Sequence, residues 1–152
     1  MEIFNIKDKP EFLREVAELT QRAWGSPTSS NEEFEEKVNK KIEKIVSLLN
    51  DTHYCKLLLV DSGVLIGFIS IFPTDGEERQ DLTPWYATMY VKKGFRGKGY
   101  SKILNDAILN EARNRGFKKL YLKSELENYY EKFGAKYMET LNNGEKLFYI
   151  EL

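Results

Sequence analysis

The residues Arg96-Gly97-Lys98-Gly99-Tyr100-Ser101 join an apolar run ending in Tyr90-Val91 to an amphipathic stretch, and their types suit a phosphorylated ligand. Glycines let a backbone approach a ligand closely, and the start of a helix offers unpaired N–H groups to an anion. Lys92, Lys93, Lys98 and Lys102 add positive charge around the turn. The spacing narrows the choice of ligand. No Gly-Lys-Ser/Thr follows a four-residue gap, which excludes the Walker loop. Lys102 stands where the third glycine of a dinucleotide fingerprint belongs.

A second segment, Glu127-Asn128-Tyr129-Tyr130-Glu131-Lys132-Phe133-Gly134-Ala135, carries phenols that stay protonated at neutral pH and could donate a proton. Packing of a short element against a sheet would use the same aromatics. Together the two segments resemble the GNAT acetyltransferase superfamily, as a small bacterial-type member. The turn matches its acyl-CoA segment, Arg/Gln-x-x-Gly-x-Gly/Ala, with Ser101 replacing the final glycine or alanine. The later segment matches its Tyr-Glu-Lys-x-Gly-Phe signature, with Ala135 replacing the aromatic. Pro84 to Val91 resembles the strand that precedes the CoA segment, and the likeness is strongest from Trp85 to Leu141.

The resemblance implies acetyl-CoA as acyl donor, CoA as product and no metal. It implies that N–H groups from Gly97 to Lys102 hold the pyrophosphate, with Arg96, Tyr100, Ser101 and Asn128 beside it. It further implies that backbone at Met89, Tyr90 and Val91 bulges toward the thioester oxygen and pairs with the pantetheine arm, and that Tyr130 is the general acid. The four lysines would meet the 3′-phospho-ADP end, or form a solvated rim. The general base stays unassigned, because Trp85-Tyr86-Ala87-Thr88 lacks the glutamate that some members place there. Glu77, Glu78 and Asp81 from the preceding loop are candidates, and bulk solvent is another. With Asp75 they would favour a cationic acceptor such as a polyamine or aminoglycoside-like amine, unless they are an ordinary solvated loop. The expected activity is N-acetyl transfer to a small-molecule or peptide amine by direct attack. The alternative is a non-catalytic acyl-CoA-binding sensor on the same fold, and many relatives of this type are homodimers.

The rest of the chain must position these residues. Its 152 residues suit one domain spanning 1–152. A net charge of −1 disfavours nucleic acid as a partner. One cysteine and one histidine, Cys55 and His53, make neither a disulfide framework nor a metal site. No signal peptide or spanning segment is evident, so no membrane partner and a cytoplasmic location are expected. Capping-box spacings at Asp8/Glu11 and Ser30/Glu33 predict two helices, the first ending near Gly25. Asp61-Ser62-Gly63 and Asn142-Asn143-Gly144 predict hairpins. A helix is expected from about Gly99 to Arg115 with Ile103, Leu104, Ala107, Ile108 and Ala112 inward, and a short one over Glu127 to Phe133. The order reads β-α-α-β-β-β-α-β-α-β-β. This α/β (α+β) pattern fits a GNAT-like mixed, mostly antiparallel sheet of six to seven strands, flanked by about four helices, with its central parallel strands splayed.

Overall fold

The computed structural model describes residues 1–126 and 128–152. Seven strands form one sheet: β1 (Glu2–Asn5), β2 (Cys55–Asp61), β3 (Val64–Phe72), β4 (Trp85–Val91), β5 (Lys119–Ser124), β6 (Lys136–Thr140) and β7 (Lys146–Glu151). Their spatial order is β1-β2-β3-β4-β5-β7-β6. All neighbours run antiparallel except β4 and β5. Among the described residues there are three α-helices: α1 (Leu13–Trp24), α2 (Asn31–Leu48) and α3 (Tyr100–Asn114). None of the described helices is long and apolar enough to cross a membrane.

Both faces of the sheet are covered, so the middle strands are buried on both sides and read as apolar runs rather than alternating ones. Leu104, Ile108 and Ala112 of α3 pack on one face against Leu57, Leu59, Ile69 and Leu120. On the other face Val16 and Ile45, from α1 and α2, meet Leu58, Leu65 and Phe68. The β2–β3 hairpin turns through Ser62 (φ 52°) and Gly63 (φ 78°), the two positive dihedrals of a two-residue turn whose twist matches its strands. At the start of α2, Ser30 Oγ accepts from Glu33 N at 3.1 Å, as the spacing predicts. The Glu33 carboxylate reaches back to Ser29 rather than to Ser30.

Three local expectations change. The Asp8/Glu11 box does not form. Lys9 sits at φ −136° and ψ 61°, splitting the segment into 3-10 turns at Ile6–Asp8 and Pro10–Phe12 before α1 begins. The expected fourth helix is a 3-10 turn, Tyr130–Phe133, bounded by Asn128 at φ 59° and Gly134 at φ 91°, while Glu127 lies outside the described residues. So short a segment cannot offset the cost of helix nucleation. On α3, Ile103 points outward and Asn105 takes a buried place, its Oδ1 accepting from Tyr86 Oη at 2.9 Å.

Candidate active site

The site grows from two departures of β4 from regular pairing. Against β3, Phe68 faces Tyr90 and Ser70 faces Ala87, so two residues, Thr88 and Met89, oppose Ile69 alone. This is a β-bulge, and it places Thr88 at φ 53°, a strained value for a β-branched residue. Gly67 is needed beside it, because a Cβ there would run into the Tyr90 carbonyl oxygen. Against β5, β4 keeps one registered pair, Trp85 with Tyr121. Beyond that pair the strands splay, and among the described residues the β4 backbone has no registered strand partner on that side.

The splay opens a cavity of about 790 Å³. Met89, Tyr90 and Val91 form one wall, and Tyr129 and Tyr130 stand opposite on the turn after β5. Its far end is the glycine turn, lined by Arg96, Gly97, Gly99, Tyr100 and Ser101. Gly97 (φ 77°) and Gly99 (φ 85°) have nothing within 4 Å of an added Cβ, so the turn is shaped by left-handed backbone and left open in front. Gly99 is the N-cap of α3 and supplies no side-chain cap, which leaves first-turn N–H groups available to a ligand. Arg96 folds back instead, its Nε donating to Val91 O at 2.8 Å and its guanidinium lying 5.5 Å from the Tyr90 ring.

Tyr130 is half-buried, with its ring edge-on to Tyr86 at 6.0 Å and to Tyr129 at 4.8 Å. Its hydroxyl makes no hydrogen bond among the described residues. Burial raises its pKa, with Tyr129 adding to the effect, so the phenol stays protonated across the neutral range.

Several expected residues stand elsewhere. Lys98, Lys102 and Asn128 are exposed and outside the cavity lining. Lys102 pairs with Asp106 at 2.8 Å, and Lys92 pairs with Glu15 of α1 at 2.6 Å. Glu77, Glu78 and Asp81 line neither this cavity nor the next. Asp81 is held by Arg79 at 3.0 Å, and Glu78 accepts from Asn142 N at 3.1 Å. Arg79 also pairs with Glu139, so this acidic loop is fastened to β6. His53 is half-buried with its ring tilted against Phe117 at 5.1 Å, and it lines neither cavity. No cluster among the described residues could hold a metal ion.

Sequence reasoning missed Arg22 and Ala23 of the wall. Arg22, Ala23 and Trp24 at the end of α1 line the cavity, and Trp24 stays 52% exposed while touching the Tyr90 ring edge-on at 6.0 Å. Trp85, by contrast, is fully buried.

It also missed Lys56. This lysine is 2% exposed within the buried strand β2, and its Nζ donates to Ser70 Oγ at 2.6 Å. A longer contact of 3.4 Å reaches Thr88 Oγ1 at the bulge. Burial pushes the ammonium pKa down to about 7. The signal was present in Cys55-Lys56-Leu57-Leu58-Leu59-Val60, one cation in an otherwise apolar run. Lys56 lines a second cavity of about 240 Å³ on the α1/α2 side of the sheet, with Ala87 and Thr88 as its β4 wall.

With this geometry established, three solved structures show the same fold. An N-acetyltransferase from Staphylococcus aureus Mu50 superposes with a TM-score of 0.76 at 18% identity, covering 99% of this chain and 97% of that one. An aminoglycoside 6′-acetyltransferase type Ii gives 0.73 at 21% identity, with coverage of 99% and 97%. YncA, a putative acetyltransferase from Salmonella typhimurium solved with acetyl-CoA, gives 0.74 at 16% identity, with coverage of 99% and 93%. No curated protein sequence matches significantly. The model of the acetyltransferase (GNAT) family matches residues 13–135.

Proposed function

The chain belongs to the GNAT acetyltransferase family, and from that premise we propose that it moves the acetyl group of acetyl-CoA to a primary amine by direct attack. The observation that carries this reading is the cavity between β4 and β5. It has a glycine turn at one end and, on the opposite wall, the Tyr130 phenol, whose hydroxyl has no hydrogen-bond partner among the described residues. Its volume and lining suit a thioester carried on a long, pyrophosphate-bearing arm.

In the reaction the amine nitrogen bonds to the acetyl carbon and the carbon–sulfur bond breaks. The nitrogen gives up a proton, and the departing sulfur gains one. Gly97 to Ser101 hold the pyrophosphate with first-turn N–H groups of α3, and the Ser101 hydroxyl is small enough to leave that approach open. The Met89–Val91 backbone pairs with the pantetheine arm, and an N–H at the bulge faces the thioester oxygen. A preorganised donor of this kind is typically worth ~2.7–4 kcal/mol at the transition state. Tyr130 supplies a hydrogen bond to the leaving sulfur. A phenol of pKa ~10 already lies above a thiol and burial raises it further, so Tyr130 keeps its proton as a hydrogen-bond donor while the thiolate takes its proton from solvent.

Two assays test the reading. Acetyl-CoA should raise the melting temperature, where ATP and NAD should not. Purified protein should release CoA thiol when a primary amine is added. Stabilisation by ATP or NAD without stabilisation by acetyl-CoA would overturn the proposal. Tight acetyl-CoA binding with no amine-dependent release would instead make the chain a sensor.

A further inference from the structure

The two cavities meet β4 on consecutive residues. Ala87 and Thr88 line the smaller one, while Met89, Tyr90 and Val91 line the larger. The bulge is therefore their common wall. α1 is shared in the same way, with Thr20 in the smaller cavity and Arg22–Trp24 in the larger. A molecule in the smaller cavity would approach the bulge from the α1/α2 face.

The charge of that smaller cavity is one-sided. Lys41 and Lys44 from α2 and Lys56 from β2 line it, against the single carboxylate of Asp75. Asp75 is already engaged, because Lys123 Nζ lies 4.0 Å from its carboxylate and donates to its carbonyl at 2.6 Å. Among the described residues no carboxylate lies within 4.0 Å of the Lys41, Lys44 or Lys56 nitrogens. Lys56 has the Phe68 and Phe72 rings at 4.9 and 5.6 Å and, among the described residues, donates only to hydroxyl oxygens. An ammonium has three donors, so at least one is left for the cavity. A buried cation without a counter-charge is costly, and an anion entering beside it offsets that cost.

We propose that this cavity is the acceptor pocket, and that the acceptor is a small primary amine which also carries a carboxylate or phosphate. The proposal rests on the acetyl-transfer reading above. The anionic group sits among Lys41, Lys44 and Lys56, and the amine points past Thr88, on the side where β4 has left β5, toward the thioester. The pocket's 240 Å³ falls below the ~300 Å³ lower end of drug-sized sites, which suits a small metabolite. A polycationic sugar antibiotic meets three lysines there and is disfavoured by charge and by size. The depressed Lys56 pKa agrees with a cation awaiting its partner, since an adjacent anion would restore the charged form.

The test is a set of matched acceptors assayed by CoA thiol release. L-Leucine is set against L-leucinamide and isopentylamine, and O-phosphoethanolamine against ethanolamine, with kanamycin as the polycation. The expected result is a kcat/KM at least about tenfold higher for the anionic member of one pair, and which pair responds distinguishes carboxylate from phosphate. Lys44 lies on the exposed surface of α2, so Lys44→Glu should fold and should shrink the anionic-to-neutral ratio about tenfold. Equal or better turnover of neutral amines or kanamycin, or an unchanged ratio in Lys44→Glu, overturns the anionic acceptor while leaving acetyl transfer intact. Failure to acetylate any anionic amine overturns it as well. Failure of acetyl-CoA to bind, read separately by calorimetry, removes the acetyl-transfer reading and this proposal together.

Discussion

Thr88 Oγ1 donates to Ser70 Oγ at 2.8 Å, tying the strained residue of the β4 bulge to the neighbouring strand. Lys56 Nζ, from β2, donates to the same Ser70 oxygen. A hydroxyl pair and a buried lysine therefore hold the piece of backbone where β4 leaves β3 and the two cavities meet. Strain of this kind persists only when its surroundings over-determine it, and it gathers at functional sites.

Gly67→Ala tests how closely β3 must approach the bulge. The added Cβ meets the Tyr90 carbonyl, which is backbone and cannot swing away. We expect a loss of about 1–3 kcal/mol in urea unfolding, together with weaker acetyl-CoA binding. Unchanged affinity in a destabilised variant would mean that the bulge geometry does not matter to the donor site.

Gly99→Glu tests the turn. It puts a side chain at φ 85° and a negative charge at the start of α3, facing the expected pyrophosphate. The left-handed conformation alone costs ~1–2 kcal/mol. Calorimetry should show acetyl-CoA binding abolished in a protein that still unfolds cooperatively. Wild-type affinity would remove the glycine turn from the site.

Tyr130→Phe keeps the edge-on ring packing against Tyr86 and Tyr129 and deletes only the hydroxyl. Steady-state kinetics should show kcat falling about 10–100-fold with acetyl-CoA affinity within twofold, the signature of a contact made in the transition state. Wild-type turnover would reassign the tyrosine to packing.

Lys56 makes stability depend on pH in a predictable direction. Its folded-state pKa of about 7 lies below the ~10.4 of an exposed lysine, so the unfolded chain holds the proton more tightly. Stability therefore rises with pH from about 7 toward ~10.4 and is lowest below the folded value. The Cys55 thiol, pushed up to about 12 by burial, opposes this above its unfolded value. Subtracting a Lys56→Met control removes that contribution. Denaturant curves should show wild type gaining roughly 2 kcal/mol on the variant between pH 7 and 9. Parallel pH profiles would show that Lys56 is charged in the folded protein throughout.

Hairpins and the boundaries of α2 and α3 were legible because their signals are local. Ser62-Gly63 must turn the chain whatever surrounds it, and Ser30 caps α2 through atoms three residues away. The glycine turn was legible for the same reason, since Gly97 and Gly99 permit a left-handed backbone that other residues resist. Tyr130 was reachable through its neighbours in sequence. Strand pairing is different, because an edge opens or closes according to the register of distant segments. That β4 and β5 share only Trp85 and Tyr121 follows from packing between strands, and the family resemblance rather than either strand implied the splay and a bulge at Met89–Val91, which the structure has at Thr88 and Met89. The acids of the loop before β4 illustrate the limit. Two of them, Glu78 and Asp81, were expected near the site, whereas Asn142 N donates to Glu78 and Arg79, pairing Asp81 and Glu139, fastens the loop to β6. Lys56 is the converse case. Its sequence shows only a cation in an apolar strand, and tertiary structure alone buried it beside the bulge and gathered Lys41 and Lys44 around the same cavity. Local chemistry determined the glycine turn at the start of α3, and the long-range packing of β2 and α2 against β4 decided the charge of the smaller cavity.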